Sequence, residues 1–291
     1  MPLLTLEKPK VFRDVKEAPM LLLLLVLLSD ITFNWLYINF FRDAFAIPEV
    51  YTSGVVDSLF VLSIIKIAFV VLGVVFWIGR FRGRHLGLGW SKLKEGLIAT
   101  FFIWAILQAV QVAYGMVVST EVGYHIDWQQ EGALKIIGAF ILYAIGKAFF
   151  DELTYRGLLL PQLHLKCQRY LNLDARIILG LAVVISQTIY LIIQLPLISL
   201  FISTGFSSVM TLTSLFFLSI LNALIYLRTK NLYITIGMHA IWFQPIFVAS
   251  PAVPHTFILV LLAIGFILVW PMLPNAASMQ STWPLEERRT T

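Results

Sequence analysis

Acidic, basic and imidazole side chains interrupt the long apolar runs of this chain at a few places. The stretch 147–157, KAFFDELTYRG, contains Asp151 and Glu152, and His239 and Gln194 lie in later apolar runs. Carboxylates and imidazoles are the side chains that most often transfer protons in enzymes. In hydrocarbon an unpaired polar group costs several kcal/mol, so polar residues at this depth are candidates for function.

The spacing within 147–157 predicts two ion pairs. Lys147 and Asp151 are four residues apart, as are Glu152 and Arg156, and side chains at this spacing are neighbours on a helix. Two interpretations remain open. The pairs could close the end of a helix near the lipid headgroups, or they could form a functional site, and spacing alone favours neither.

Two further helices carry polar groups at membrane depth. Gln187, Tyr190 and Gln194 follow an i, i+3, i+7 spacing, which places them on one face that must contact protein or water. His239 is predicted near the middle of its helix and is the single histidine predicted inside a span. A lone histidine is as often a simple hydrogen-bond donor as a functional group. We expect these clusters to converge on one buried, polar cavity that faces the cytoplasm.

A third set of polar groups lies near the N-terminus. Asp30 and Asn34 are one helical turn apart, and Lys66 stands alone in the next apolar run. Pairing Lys66 with Asp30 satisfies both charges. We expect this pair to be architectural.

The composition excludes a soluble protein. Hydrophobic residues make up 59% of the 291 residues and charged residues 13%, whereas about a quarter of residues are charged in soluble domains. A bilayer core about 30 Å thick requires roughly 20 apolar residues per helix. The sequence therefore predicts an all-α, polytopic membrane protein of about eight transmembrane helices in a single bundle. The predicted spans are 19–41, 55–79, 96–118, 133–155, 176–198, 206–227, 232–249 and 256–272.

Basic residues predict the topology. Lys and Arg concentrate on the cytoplasmic side of short loops, and here they occur in the N-terminal segment and in alternate loops, whereas Arg42 is the single basic residue of the intervening loops. Both termini are therefore predicted to be cytoplasmic. The basic residues are Lys8, Lys10, Arg13, Lys16, Arg80, Arg82, Arg84, Lys92, Lys94, Lys166, Arg169, Arg228 and Lys230.

The same distribution argues against nucleic-acid binding. The net charge of +5 resides between apolar spans and forms no basic face. The lipid bilayer is the expected partner.

The first apolar run is too long for a signal-peptide core and is interpreted as a retained helix. The predicted organisation is an N-terminal cytoplasmic segment at 1–18, a helical domain at 19–272 and a polar, disordered tail at 273–291.

Three short motifs give the chain a family resemblance over Ala133 to Phe243. Asp151-Glu152-Leu-Thr-Tyr-Arg156-Gly157 is similar to E-E-x-x-x-R-G, Tyr190-Leu-Ile-Ile-Gln194 to F-x-x-x-H, and His239-Ala-Ile-Trp-Phe243 to H-x-x-x-N. In their order and spacing these motifs resemble the CAAX-protease and bacteriocin-processing family of intramembrane endopeptidases. The resemblance implies a protease core at 133–243.

The resemblance also implies roles for individual residues. In the family, the leading glutamate of the first motif and the histidine of the second prepare a water for attack, and the third motif binds the oxyanion or a metal. The corresponding residues here are Asp151, Gln194, His239 and Phe243, of which His239 alone is identical. Gln194 has no group that titrates near neutrality, and Phe243 has no hydrogen-bonding group. Two of the four catalytic positions, Gln194 and Phe243, therefore lack the chemical group of the family residue, whereas Asp151 keeps the negative charge.

These substitutions shape the expected chemistry. A catalytic zinc normally has three protein ligands and a water, so no cofactor is expected, and a divalent metal would have Glu152 and His239 as its ligands. Without a metal, Asp151 or Glu152 acts as general base, and His239 and the Gln194 amide donate to the oxyanion. The candidate catalytic residues are Asp151, Glu152, Arg156, Gln194 and His239.

Three functions are compatible with this sequence. The first is an endopeptidase that cleaves prenylated or membrane-associated peptides in a bacterial cytoplasmic membrane or an equivalent organelle or thylakoid membrane. The second is a pseudoprotease of the same fold that binds a membrane partner, which Gln194 and Phe243 favour. The third is a small transporter, which predicts two related halves with broken helices. The sequence shows no such halves.

Overall fold

Eight apolar helices form the described part of the chain. The computed structural model describes residues 12, 15–45, 55–117, 123–198, 206–250 and 255–270. The helices are α1 (Met20–Ala44), α2 (Ser58–Ile78), α3 (Trp90–Val117), α4 (Ala133–Tyr170), α5 (Ala175–Ile198), α6 (Phe206–Thr229), α7 (Leu232–Phe243) and α8 (His255–Val269). Within the described ranges, α1 to α6 are long and apolar enough to cross a bilayer, whereas α7 and α8 are shorter. The predicted all-α membrane bundle is confirmed.

Smaller elements connect these helices. A 3₁₀ turn, Gly83–Leu86, precedes α3, and a short helix, Ile126–Gln130, precedes α4. Strands Gly123–Tyr124 and Ala249–Ser250 pair antiparallel, with Gly123 opposite Ser250. Wide π-helical turns occur at Tyr37–Phe41, Ile67–Ile78, Ala144–Ala148 and Glu152–Leu159.

The predicted tail at 273–291 lies outside the described residues, and of the segment 1–18 only residues 12 and 15–18 are described.

Helix α4 extends beyond its predicted end. The prediction ended this helix at residue 155, close to the first motif, but α4 continues to Tyr170. The placement of the motif at a helix terminus was therefore wrong. The polar residues after Gly157 remain helical because they have partners. Gln162, for example, accepts a hydrogen bond from the backbone N–H of Ala18 (2.7 Å) and donates to the carbonyl of Lys16 (2.8 Å).

Helix α7 is fixed at its start and against α3. The Asn231 side chain caps its N-terminus by accepting from the N–H of Tyr233 (3.0 Å), and the same side chain donates to the carbonyl of Lys92 (2.9 Å). Gly237 permits close contact with α3, since a Cβ there would lie 1.8 Å from Oγ1 of Thr100. These contacts fix the position of His239, two residues later. His239 lies near the C-terminal end of α7 and not near its middle, because α7 ends at Phe243.

The predicted pairing of Lys66 with Asp30 is confirmed. Lys66 Nζ donates to Asp30 Oδ1 at 2.6 Å and also to Asn34 Oδ1. Tyr155 Oη donates to the other Asp30 oxygen at 2.6 Å, and Asn34 donates to the carbonyl of Ile193 at 3.1 Å. All four side chains are buried. The network therefore joins α1, α2, α4 and α5 inside the bundle.

Large apolar side chains cover the outer surface of the bundle. Leu21, Leu28, Trp77 and Phe101 are all more than half exposed. Such a surface would be unfavourable in water and matches a lipid environment. The chain is accordingly a multi-pass membrane protein. Its interior is apolar between the polar networks, with Val70, Leu107, Phe150, Leu153 and Met238 fully buried.

Lys230, between α6 and α7, has a buried ammonium group. Its Nζ atom lies 4.2 Å from the centre of the Phe12 ring and has no hydrogen-bond partner among the described residues. Burial, with a smaller effect from the nearby charge of Lys92, lowers the pKa of Lys230 from 10.5 to about 7. Protonation of Lys230 is therefore unfavourable in the folded protein.

We expect this lysine to make stability depend on pH. Between pH 7 and 10.5 the unfolded chain binds the proton that the folded protein has released, so stability rises with pH. Relative to Lys230→Met, the wild type should gain about 3 kcal/mol of stability between pH 7 and 9.5. Thermal unfolding in detergent measures this difference. Parallel pH profiles for the two proteins would contradict the prediction.

Candidate active site

Asp151 lies at the centre of one buried polar group formed by α4 and α5. Lys147, one turn earlier on α4, donates to Asp151 Oδ2. Tyr190 Oη donates to the same oxygen at 3.3 Å, and Gln194 Nε2 donates to Oδ1 at 3.4 Å. Lys147 also donates to Gln194 Oε1 at 3.1 Å. Both oxygens of Asp151 therefore have donors within the protein.

Glu152 forms a second buried group with α6 and α7. His239 Nδ1 lies 2.7 Å from Glu152 Oε1, and Asn222 Nδ2 donates to the same oxygen at 3.2 Å. Arg156 Nη1 lies 3.3 Å from this oxygen. A carboxylate can only accept hydrogen bonds, so the contact places the proton of a neutral His239 on Nδ1. The other ring nitrogen, Nε2, is buried and has no partner among the described residues.

Arg156 and Tyr190 lie between the two groups. The Arg156 guanidinium is 4.7 Å from the centre of the Tyr190 ring, and its Nη2 donates to the carbonyl of Ser219 at 3.2 Å. The Tyr190 ring therefore contacts the Arg156 cation of the Glu152 group. The hydroxyl of the same tyrosine contacts Asp151 in the other group. The predicted ion pairs, Lys147 with Asp151 and Glu152 with Arg156, are both confirmed.

Two cavities border these groups. The larger, about 250 Å³, has mostly apolar walls that include Tyr143, Leu197 and Phe243, with Lys147 and Gln194 as polar members. The smaller, about 20 Å³, is lined by Arg156, Ser219, Asn222, His239 and Trp242 among others. Tyr190, Leu215 and Phe243 line both. The cavities are therefore adjacent, and the smaller has the size of a single water.

A family comparison agrees with this arrangement. The family model "Type II CAAX prenyl endopeptidase Rce1-like" matches residues 133–244, which run from the start of α4 to one residue past α7. Over these residues the match supports the resemblance to the CAAX-protease and bacteriocin-processing family. The match includes every side chain of the two polar groups described above. Comparisons with curated proteins and with solved structures gave no significant match.

The motif residues on α4, α5 and α7 lie close together, but they form two adjacent groups and do not surround the single cavity that was predicted. Asp151 and Gln194 form one pair, and Glu152 and His239 form another, with Arg156 beside the second. Gln187 does not join them, because its Nε2 donates to Ser186 Oγ instead. The predicted polar stripe on α5 does face the protein, since Gln187, Tyr190 and Gln194 are all buried.

The family resemblance did not identify Asn222, which contacts Glu152 from α6. Asn222 lies in an apolar span, and the rule that marks Asp151 and His239 as candidates would have marked it too. Tyr143 was also missed, because an isolated tyrosine in an apolar run has no distinctive spacing. His164 is a second buried histidine within a long helix, although its ring packs on Phe12 and lies outside the site.

Phe243 occupies the position where the CAAX-protease motif has asparagine. Its ring lies 5.0 Å from the His239 ring and stacks on Tyr143 at 5.8 Å between centres. The ring is 43% exposed and lines both cavities. In place of an amide, this position supplies an apolar wall beside the imidazole.

The residues of the Glu152 group do not fit a zinc ion. Among the described residues no three His, Cys, Asp or Glu side chains are placed to hold a metal. The Nδ1 atom of His239 already contacts Glu152, and the Arg156 guanidinium borders the same carboxylate. A cation at Glu152 would therefore be repelled by this guanidinium, and the third protein ligand of a catalytic zinc is missing.

Proposed function

We propose that this protein is a membrane-embedded endopeptidase in which His239 is the general base. The observation that carries this proposal is the 2.7 Å contact between Glu152 Oε1 and His239 Nδ1, which leaves Nε2 as the free nitrogen of a ring that lines a water-sized cavity. A carboxylate on one ring nitrogen fixes the tautomer and stabilises the imidazolium that forms when the other nitrogen takes a proton.

The proposed reaction needs only water as the second reactant. His239 Nε2 takes a proton from a water in the smaller cavity, and the water oxygen attacks the scissile carbonyl carbon. The resulting oxyanion accepts hydrogen bonds from the Trp242 indole and the Arg156 guanidinium. Trp242 Nε1 and Arg156 Nε are both buried and have no hydrogen-bond partner among the described residues. The imidazolium then donates its proton to the amide nitrogen, the C–N bond breaks, and a carboxylate and an amine leave.

The larger cavity supports an apolar peptide substrate. Its walls are mainly leucine, isoleucine and aromatic side chains, and it adjoins the reaction site through Tyr190 and Phe243. The description of the matching family model names a CAAX prenyl endopeptidase, and in C-a-a-X sequences the cysteine is the prenylated residue. We propose this class of substrate, with entry from the cytoplasmic side.

The test uses the detergent-purified protein and a peptide with a farnesylated cysteine, two aliphatic residues and one C-terminal residue. Mass spectrometry should show loss of the last three residues. The variant His239→Ala should cleave the peptide about 10³-fold more slowly, as expected when a general base is removed. His85→Ala, in the turn before α3, is the matched control and should retain activity. Absence of cleavage by the wild type over a library of prenylated and unmodified peptides would reject the proposal.

One observation favours a second function. The Asp151 group is closed by Lys147, Tyr190 and Gln194, so the position that the family uses for water activation offers no free carboxylate oxygen within the described residues. A pseudoprotease that binds a membrane peptide without cutting it would explain this closure. Stable binding of the farnesylated peptide without cleavage would support that function.

A further inference from the structure

We infer that Asn222 is a positioning residue, which holds Glu152 in the orientation that makes His239 a base. The inference rests on the proposed function and adds a helix to its machinery, because Asn222 lies on α6 whereas the family motifs lie on α4, α5 and α7. It also assigns the reaction to the Glu152 group and not to the Asp151 group.

Two hydrogen-bonding nitrogens and one ion-paired guanidinium meet at a single oxygen of Glu152. His239 Nδ1, Asn222 Nδ2 and Arg156 Nη1 lie 2.7, 3.2 and 3.3 Å from Oε1. Arg156 is on the same helix and favours rotation of the carboxylate toward the guanidinium, where a two-oxygen contact could form. Asn222 approaches from another helix and opposes this rotation. With Asn222 in place, the carboxylate remains oriented toward His239.

The Asn222 amide is buried with incomplete hydrogen bonding, which indicates a role other than packing. Asn222 is 2% exposed in an apolar helix, and its Oδ1 atom has no partner among the described residues. Burying an amide with half of its hydrogen-bonding capacity unused lowers the stability of the folded protein. A leucine of similar size would avoid that cost if packing were the only requirement. The unpartnered Oδ1 belongs to a residue that lines the smaller cavity, where the attacking water is proposed to sit.

The third motif has lost the amide that the resemblance implies at position 243. Phe243 cannot donate or accept a hydrogen bond, and its ring lies beside the His239 ring. Asn222 brings an amide to the same Glu152–His239 pair from α6. The amide is therefore present in the site but comes from a different helix.

The contrast with the Asp151 group supports this assignment. There the donors reach both carboxylate oxygens, and the ammonium group of Lys147 neutralises the charge. In the Glu152 group the donors meet at one oxygen, and a ring nitrogen remains free. Of these two groups, only the Glu152 group has a basic nitrogen without a partner among the described residues, His239 Nε2, which can accept a proton from water.

The test compares Asn222→Leu, Asn222→Ala and the control Asn39→Leu. Asn39 is exposed on α1 and donates to the carbonyl of Trp35. With the farnesylated peptide, both Asn222 variants should lose about 10-fold to 100-fold in kcat with KM within about twofold, because an imidazole displaced on the ångström scale still binds substrate but reacts slowly. The alanine variant covers the case in which the leucine does not fit.

A spectroscopic measurement gives a readout independent of cleavage. In protein labelled with ¹⁵N-histidine, the His239 signal, assigned by its absence in His239→Ala, should show a protonated Nδ1 and an unprotonated Nε2 in the wild type. In Asn222→Ala the two tautomers should mix, because the carboxylate is free to turn toward Arg156. A change that affected only folding stability would leave the tautomer unaltered.

The outcomes separate this inference from the proposed function. If the wild type cleaves and both Asn222 variants match Asn39→Leu in kcat, the inference is wrong and the proposed function stands. If the wild type does not cleave, the proposed function is wrong and the ¹⁵N spectrum decides the inference. An unchanged tautomer in Asn222→Ala would then overturn it, and mixed tautomers would support it.

Discussion

Replacing Glu152 with glutamine should reduce peptide cleavage by about 10³-fold, within the range for loss of a general base. The buried carboxylate is the acceptor for His239 Nδ1 and the neighbour of Arg156 and Asn222. The oxygen of a neutral amide can still accept a hydrogen bond from Nδ1. It carries no negative charge, however, to stabilise the imidazolium that forms when Nε2 takes a proton from water.

The matched control for this change is Glu17→Gln. Glu17 pairs with Lys166 and Arg169 at 3.4 and 2.5 Å, outside the site, so the same chemical change there should leave kcat unaltered. A circular dichroism spectrum would verify that Glu152→Gln is folded, because the substitution leaves Arg156 buried beside an uncharged group. If Glu152→Gln retained activity while Asp151→Asn lost it, the base would be Asp151 and our assignment to His239 would be wrong.

Hydropathy and four-residue spacing were sufficient to predict most of this fold. Each predicted span corresponds to a described helix, and the pairs Lys66–Asp30, Lys147–Asp151 and Glu152–Arg156 all form. These predictions succeed because hydrocarbon makes an unpaired charge so unfavourable that few partners are possible. The same argument predicts that polar groups on α4, α5 and α7 surround one cavity. They do approach one another, but in two adjacent groups.

Other features depend on contacts between distant segments. The extension of α4 to Tyr170 is stabilised by contacts such as those of Gln162 with the chain before α1, and a polar helix end resembles a loop when only composition is considered. The division of the site into two groups follows from the different directions of the Asp151 and Glu152 side chains, since adjacent residues on a helix do not face the same neighbours. The partner of Glu152 on α6 could not be assigned by motif, because Asn222 is outside every motif.

Lys66→Met should be the most destabilising single substitution in the bundle outside the active site. It removes the cation from a network in which Asp30, Asn34 and Tyr155 are all buried. Removing one partner of a buried ion pair costs about 3–5 kcal/mol, because the remaining charge has no compensation. We expect a large decrease in the thermal unfolding midpoint in detergent, with reduced recovery of folded protein from membranes.

The double variant Asp30→Leu with Lys66→Met distinguishes the loss of charge compensation from the loss of side-chain packing. Removing both charges leaves no buried ion, so the double variant should recover most of the stability that Lys66→Met loses. The recovery should be incomplete, because Tyr155 Oη would lose its acceptor on Asp30. Lys135→Met, which breaks a partly exposed pair with Glu131 at 3.3 Å, is the control and should change stability by less than about 1 kcal/mol. If the double variant were less stable than Lys66→Met, the network would contribute through more than charge compensation, and the architectural role that we assign to the pair would be incorrect.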